Sequence, residues 1–207
     1  MNKERVETFS DGILAIAITL LVLTIAPPSD YAHRAHQLGE RWPSYAAYCV
    51  TFAVIGIMWL NHHTIFTQLA TIDRGLFYWN LFLLMTIVFL PYPTEVFGEA
   101  IRKGQGATTA AVFYSLVMTV NACVWSGLWL HASRGRRLLK PEFPESQRRI
   151  STTLFSIGVA FYAISIGVAF VNPTLCLVVQ ALLALYYALD PISRRLEHTR
   201  DRKAEPT

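Results

Sequence analysis

Where the first apolar run of the chain begins, the octapeptide Arg5-Val6-Glu7-Thr8-Phe9-Ser10-Asp11-Gly12 sets a cation, a hydroxyl and a carboxylate at the point where a helix would enter lipid. An ionisable group at such a place is costly to keep and by default marks a functional site. The plainer reading is an interfacial anchor whose acid is favoured by the helix dipole. A second set of polar side chains lies in Trp59-Leu60-Asn61-His62-His63-Thr64, and a third in Asp73-Arg74 followed by Trp79-Asn80. Adjacent histidines invite a metal reading, but neighbours on a helix diverge by about 100° and do not readily chelate one ion. No cysteine or further carboxylate stands nearby, so the pattern favours a hydrogen-bonded network between helices. Histidines that titrate near neutral pH leave a proton-sensing role open. No nucleophile with its base, Gly-rich phosphate loop or paired catalytic carboxylates occurs, and the chain does not read as an enzyme.

The elements that must carry these residues are set by composition. Of 207 residues, 53% are apolar and only 15% charged. Soluble domains carry roughly 25% charged residues, so a soluble fold is disfavoured, and 13% aromatic content excludes disorder. Because a bilayer span needs about 20 mostly apolar residues, we place six, near Phe9–Ala26, Trp42–His63, Asp73–Tyr92, Thr108–His131, Ile150–Val171 and Pro173–Leu189. Punctuation falls at Pro27-Pro28, Pro91-Tyr92-Pro93, Asn172-Pro173 and Asp190-Pro191, the third making a tight hairpin of the last two helices. The expected fold class is therefore all-α: a polytopic membrane protein with one six-helix domain over residues 1–207 and a short charged tail from about 194 to 207. The first span is not read as a signal peptide, since Pro27 follows Ala26 where cleavage would occur and five more spans follow. Cys49, Cys123 and Cys176 lie within apolar segments and read as small buried hydrophobes.

Orientation follows from the basic residues. With the N-terminus inside, fourteen (Lys3, Arg5, Arg74, Arg134, Arg136, Arg137, Lys140, Arg148, Arg149, Arg194, Arg195, Arg200, Arg202 and Lys203) fall on the inner side, and four (Arg34, Arg41, Arg102, Lys103) on the outer. Both termini are thus expected in the cytoplasm of a cell whose plasma membrane the protein spans several times. The net charge of +4 reflects this bias and points to anionic lipid headgroups, not to nucleic acid.

Helical spacing sorts the first span. At about 100° per residue, Ile16, Thr19, Leu20 and Leu23 fall in one stripe roughly 100° wide, while Asp11 points away from it. Asp11 should then face neighbouring helices of its own subunit and find partners there, with His62 or His63 and Asn80 at the same depth, because a lone buried carboxylate costs several kcal/mol.

An R-x-x-x-F-S-D-G signature at the head of six helices, carried by Arg5, Phe9, Ser10, Asp11 and Gly12, resembles the TMEM175 family of lysosomal potassium channels and their prokaryotic relatives. Trp59-Leu60-Asn61-His62-His63, Asp73-Arg74, Asn80 and Phe89-Leu90-Pro91 are also similar, so the likeness covers roughly residues 5–95 at the level of motifs. The resemblance implies a potassium-selective channel whose first helices line a central pore, with the constriction falling on Ile16, Leu20 and Leu23 and a hydroxyl ring on Thr19. It also implies that Ser10 and Asp11 hold that helix against the second and third.

One helix cannot enclose a pore, and the nearest echo of the signature, Phe155-Ser156-Ile157-Gly158, lacks the acid. Eukaryotic members of the family it resembles carry two fused six-helix repeats, so with a single repeat the resemblance implies a homotetramer around one axis. No T-V-G-Y-G filter occurs. We expect an apolar neck that dewets when narrow and, when wide, admits potassium, which sheds water more readily than sodium, with Thr19 hydroxyls replacing some of the lost water. No cofactor is expected; potassium is the permeant ion. Glu95 and Glu99 could gather cations at the outer entrance or be ordinary surface. The alternative is a proton-permeable channel or a proton-coupled secondary transporter that uses Asp11 with His62 or His63 as a relay.

Overall fold

A computed structural model describes residues 2–28 and 34–188. Among the described residues it contains α1 (Lys3–Leu20, tightening into a 3-10 turn over Leu21–Thr24), α2 (Arg34–Glu40), α3 (Trp42–Gln68), α4 (Arg74–Val88), α5 (Pro91–Lys103), α6 (Ala107–Ser133), α7 (Glu145–Val171) and α8 (Pro173–Ala188), with no β-strands. The expected all-helical class is what the chain adopts. The expected charged tail beyond residue 193 lies outside the described residues.

Among the described residues, five stretches are long and apolar enough to cross a membrane: Lys3–Thr24, Trp42–Gln68, Arg74–Lys103, Ala107–Arg136 and Glu145–Val171. The shortest has 22 residues, about 33 Å of helix and close to the hydrocarbon thickness of a bilayer. The sixth expected span corresponds to α8, whose apolar part, Pro173–Leu183, is shorter. Its hairpin with α7 forms as expected: Asn172 leaves the helix with an extended backbone, and its side chain accepts from the Leu175 N–H at 3.0 Å to start α8.

The third span departs from expectation. It does not end at Tyr92 but breaks at Phe89–Leu90 and resumes as α5. Pro91 has no N–H to give to Ile87, and its ring crowds that turn. Leu90 N–H donates to the Ile87 carbonyl instead, at 3.0 Å, while Pro91 and Pro93 fit the first turn of α5, where N–H groups have no helical acceptor. Proline here redirects the helix without terminating it. Gly104, at φ 65°, ends α5 in the left-handed conformation that glycine adopts without strain.

The helices alternate in direction. The start of α1 meets the end of α3 where the Lys3 ammonium donates to the Phe66 and Leu69 carbonyls at 3.0 and 3.2 Å, and the start of α4 meets the end of α6 where Asp73 meets His131 at 3.0 Å. At the opposite end, Arg41 at the head of α3 donates to the Pro27 carbonyl beyond α1 at 3.1 Å. Lys3, Arg5, Arg74 and the basic residues between Arg134 and Arg149 thus gather at one end of the bundle, with Arg41, Arg102 and Lys103 at the other. The core runs through α6, whose Tyr114, Met118, Leu128 and Trp129 are buried among α3, α4, α5, α7 and α8. Three layers of polar side chains cross this core: Thr51 with Thr94 and Tyr114, Asn121 with Thr86, and Gln180 with Ser165 and Ser115. In an apolar surrounding such bonds hold helices in register, because neither partner has water to turn to.

Candidate ion pathway

α1 begins at Lys3, capped by Asn2, whose Oδ1 accepts from the Arg5 N–H at 3.3 Å. The helix therefore starts before Arg5, which stands exposed in its first turn. From there α1 has two unlike faces. Val6, Ser10, Leu14, Ala17 and Leu21 are buried against α3 and α4. Phe9, Gly12, Ile16, Thr19, Leu20 and Leu23 are exposed, with Ile16 at 57%, Leu20 at 39% and Leu23 at 73%. The stripe isolated by angle is thus the face that the subunit leaves unpacked. Val22 joins it at 55%, although α-helical spacing puts it on the side of Asp11; the 3-10 turn at Leu21–Thr24 advances about 120° per residue and swings it round. The Thr19 hydroxyl donates to the Ile16 carbonyl at 2.8 Å, which leaves its oxygen lone pairs free to meet a cation.

The signature residues hold the opposite side. Ser10, fully buried, donates its hydroxyl to the Val6 carbonyl at 2.8 Å and accepts from Asn80 Nδ2 at 2.8 Å. Because the amide NH2 of Asn80 is spent on Ser10, its Oδ1 is the acceptor facing His62 Nε2 at 2.9 Å. His62 therefore carries a proton on Nε2, while Nδ1 is buried and unpartnered among the described residues. Its ring stacks on Phe66 at 4.0 Å and meets Trp125 edge-on at 6.4 Å. One chain of bonds thus ties α1 through α4 to α3.

A second pair of contacts joins α1 directly to α3. Asp11 Oδ1 accepts from Trp59 Nε1 at 2.9 Å, and Glu7 Oε1 meets His63 Nδ1 at 3.0 Å, with the Trp59 and His63 rings stacked at 6.2 Å. The partner of Asp11 is accordingly the indole and not either histidine, which corrects the expectation from sequence. His62 and His63 point to different neighbours, as their divergence on a helix requires. Asp11 turns away from the Ile16, Leu20 and Leu23 face and is half-buried beside a groove whose walls include Ile18, Ile55 and Gly56. Trp59 and Glu7 were missed, though a signal was present: Glu7 and Asp11 are four apart on α1, Trp59 and His63 four apart on α3, and antiparallel helices match such pairs in reverse order.

Glu99 is not a free collector of cations. Both its oxygens are engaged by Arg102, at 2.6 and 2.8 Å, with Lys103 at 3.2 Å. No group of three or more His, Cys, Asp or Glu side chains is arranged to hold a metal among the described residues. Outside the spans, Asp73 caps α4 by accepting from the Leu76 N–H at 2.7 Å; that bond, followed by His131, holds its carboxyl below the usual carboxylate value.

These features define the class: an all-helical membrane protein whose first helix is bolted to its neighbours along one face by a serine, an asparagine and a histidine and presents a greasy stripe along the other. The family model of the endosomal/lysosomal potassium channel TMEM175 matches residues 5–91. A protein described as a potassium channel from Streptomyces collinus is 43% identical over 93% of this chain and 95% of its own length. The crystal structure of a lysosomal potassium-selective channel TMEM175 homolog from Chamaesiphon minutus superposes with a TM-score of 0.82 at 36% identity, covering 90% of this chain and 96% of that one. A protein described as the endosomal/lysosomal proton channel TMEM175 from Gallus gallus is 28% identical over 83% of this chain, which spans 36% of its length. The chain belongs to the TMEM175 family, a family of ion channels.

Proposed function

We propose that four copies of this chain form a potassium-selective channel in the plasma membrane, with both termini in the cytoplasm and the α1 helices around the central axis. The observation that carries the reading is the division of α1 into a face locked by Ser10, Asn80 and His62 and a face of unpacked Ile16, Leu20 and Leu23. A lipid-facing helix has no need of so elaborate a lock, whereas a helix that must hold a rotation about its own axis to aim three side chains does. Rings of Ile16, Leu20 and Leu23 form a neck too apolar to hold a water column when narrow. Widened, it passes potassium that keeps part of its hydration, and the Thr19 oxygens, whose hydrogens are turned to the Ile16 carbonyl, offer lone pairs in place of the water lost. No cationic side chain stands on this face beyond Arg5, so nothing within the neck repels the ion.

Proton passage is the second reading, supported by the description of the Gallus gallus relative as a proton channel. A relay through Asp11 and the histidines is poorly served by the geometry, because Asp11 is bonded to Trp59, His62 to Asn80 and His63 to Glu7. Recording from the purified protein in a planar bilayer between asymmetric potassium and sodium solutions distinguishes the two. A reversal potential that follows the potassium gradient supports the proposal; one that follows an imposed pH gradient at symmetric potassium overturns it.

A further inference from the structure

The loop between α6 and α7 is shaped with more care than a simple connection needs. Gly135 and Arg136 both take left-handed backbone angles, φ 63° and 57°, a conformation glycine accepts freely and arginine does not. Arg136 is held there by its own guanidinium, which donates to the Phe143 carbonyl at 2.6 Å and meets Glu145 at 3.5 Å. Leu138, Leu139 and Phe143 are buried in the bundle, pinning the loop down. What it turns outward is basic: Arg134, Arg137 and Lys140 are exposed and carry no side-chain hydrogen bond or ion pair among the described residues. The acids around them are mostly committed, Glu145 to Arg136, Arg148 and Arg149, and Asp73 to His131, with Arg137 acting on Asp73 beyond ion-pair distance, while Glu142 is exposed. Because the loop joins the ends of two spans, Ala107–Arg136 and Glu145–Val171, these three cations sit at the depth where phospholipid phosphates lie.

The same loop is wired to the first helix. The Ala70 N–H donates to the Leu138 carbonyl at 2.8 Å and the Lys140 N–H to the Gln68 carbonyl at 2.9 Å, a backbone bridge to the segment that leaves α3. In that segment the Phe66 and Leu69 carbonyls accept from Lys3, in the first turn of α1. Lys140 is thus both an outward cation and a bridge residue.

We propose that the α6–α7 loop is a docking site for anionic phospholipid headgroups, and that the backbone bridge and Lys3 carry its occupancy to the first turn of α1. The cations and the fixed loop select a phosphate at the end of an acyl chain, whose tail lies along the spans, over a free anion.

The test uses the full chain in detergent, titrated with dioctanoyl phosphatidylglycerol. Each basic residue at a membrane surface contributes about a factor of five, so Arg134→Gln/Arg137→Gln/Lys140→Gln should weaken binding roughly a hundredfold. Lys103→Gln, at the other end of the bundle, should leave it within twofold. All three substituted side chains are exposed, and an unchanged melting temperature verifies that the triple variant folds. The headgroup site is overturned if the triple variant binds within threefold of the wild type, if dioctanoyl phosphatidylcholine binds as tightly, or if equimolar inorganic phosphate displaces the lipid. The relay is read by hydrogen exchange over residues 3–10, independently of any current. Phosphatidylglycerol should slow exchange there several-fold in the wild type, whereas Lys3→Met should keep the binding and lose the protection. Exchange in the wild type that does not respond to the lipid overturns the relay.

Discussion

Replacing Asn80 by leucine cuts the lock on α1 at its centre, and its cost can be worked out bond by bond. Ser10 loses the donor from Asn80 but keeps its own bond to the Val6 carbonyl, so this part amounts to roughly 0.6 kcal/mol, the average for an interhelical bond in a membrane protein. His62 fares worse. Its Nε2–H loses its acceptor in a fully buried position, and moving the proton to Nδ1 gives no relief, because Nδ1 has no partner either. An orphaned buried donor costs about 1–3 kcal/mol, which brings the total to about 1.6–3.6 kcal/mol. For a chain of this length each kcal/mol lowers the melting temperature by about 2–4 °C, so thermal unfolding of the detergent-solubilised protein should shift down by about 3–14 °C. Asp11→Asn is the contrast: the new carbonyl still accepts from Trp59 Nε1, and the shift should stay under about 2 °C. Combining Asn80→Leu with His62→Phe removes both polar partners, keeps the ring on Phe66, and should recover much of the loss. If Asn80→Leu melts with the wild type, or the double variant is no better than the single, the network does not hold the helix as described.

Three further outcomes follow. Thr19→Val should lower the potassium-to-sodium permeability ratio in bilayer recordings while leaving the melting temperature within a few degrees, and an unchanged ratio removes Thr19 from the mechanism. Ile16→Asn should raise single-channel conductance by wetting the neck, and an unaltered current means that this ring is not the constriction. At Asp73 the folded carboxyl sits below its usual value of 3.8, so its contribution is complete above that pH and fades as pH falls through the lower folded value. The melting difference between wild type and Asp73→Asn, about 0.5–1 kcal/mol from the charge at the helix start, should therefore be full near pH 5 and shrink towards pH 3; a gap that widens between pH 5 and pH 3 contradicts the sign.

The two faces of α1 were legible because they depend on local periodicity. Ile16, Thr19, Leu20 and Leu23 recur at helical spacing, Asp11 lies off that stripe, and the exposed face of α1 follows directly. The Ser10, Asn80 and His62 bonds were expected in kind, since polar groups at one depth in an apolar bundle have only each other. Their pairing was not, because which side chain meets Asp11 depends on the rotation of α3 against α1, and that is decided by tertiary packing. The break at Phe89–Leu90 was misread as an ending, since Pro91 and Pro93 permit either a stop or a fresh first turn and only the packing of α5 on α3 and α6 chooses. Val22 reaches the exposed face only because Leu21–Thr24 winds at three residues per turn, a tightening that nothing in the residue pattern signals. Nothing in the residue pattern announced the bridge from Leu139 to Leu69, a contact between segments distant in sequence.

In the proposed channel Ile16, Leu20 and Leu23 face water that ions cross while Leu14, Ala17 and Leu21 do not. In a background with Cys49 and Cys123 replaced by serine, single cysteines at these six positions can be exposed to a charged methanethiosulfonate reagent during potassium current recording. Block should be rapid and lasting at positions 20 and 23 and slower at the deeper position 16, with no change at 14, 17 and 21. Block at 14 or 17 with silence at 20 and 23 would mean that the greasy stripe faces lipid and that the ion route lies elsewhere.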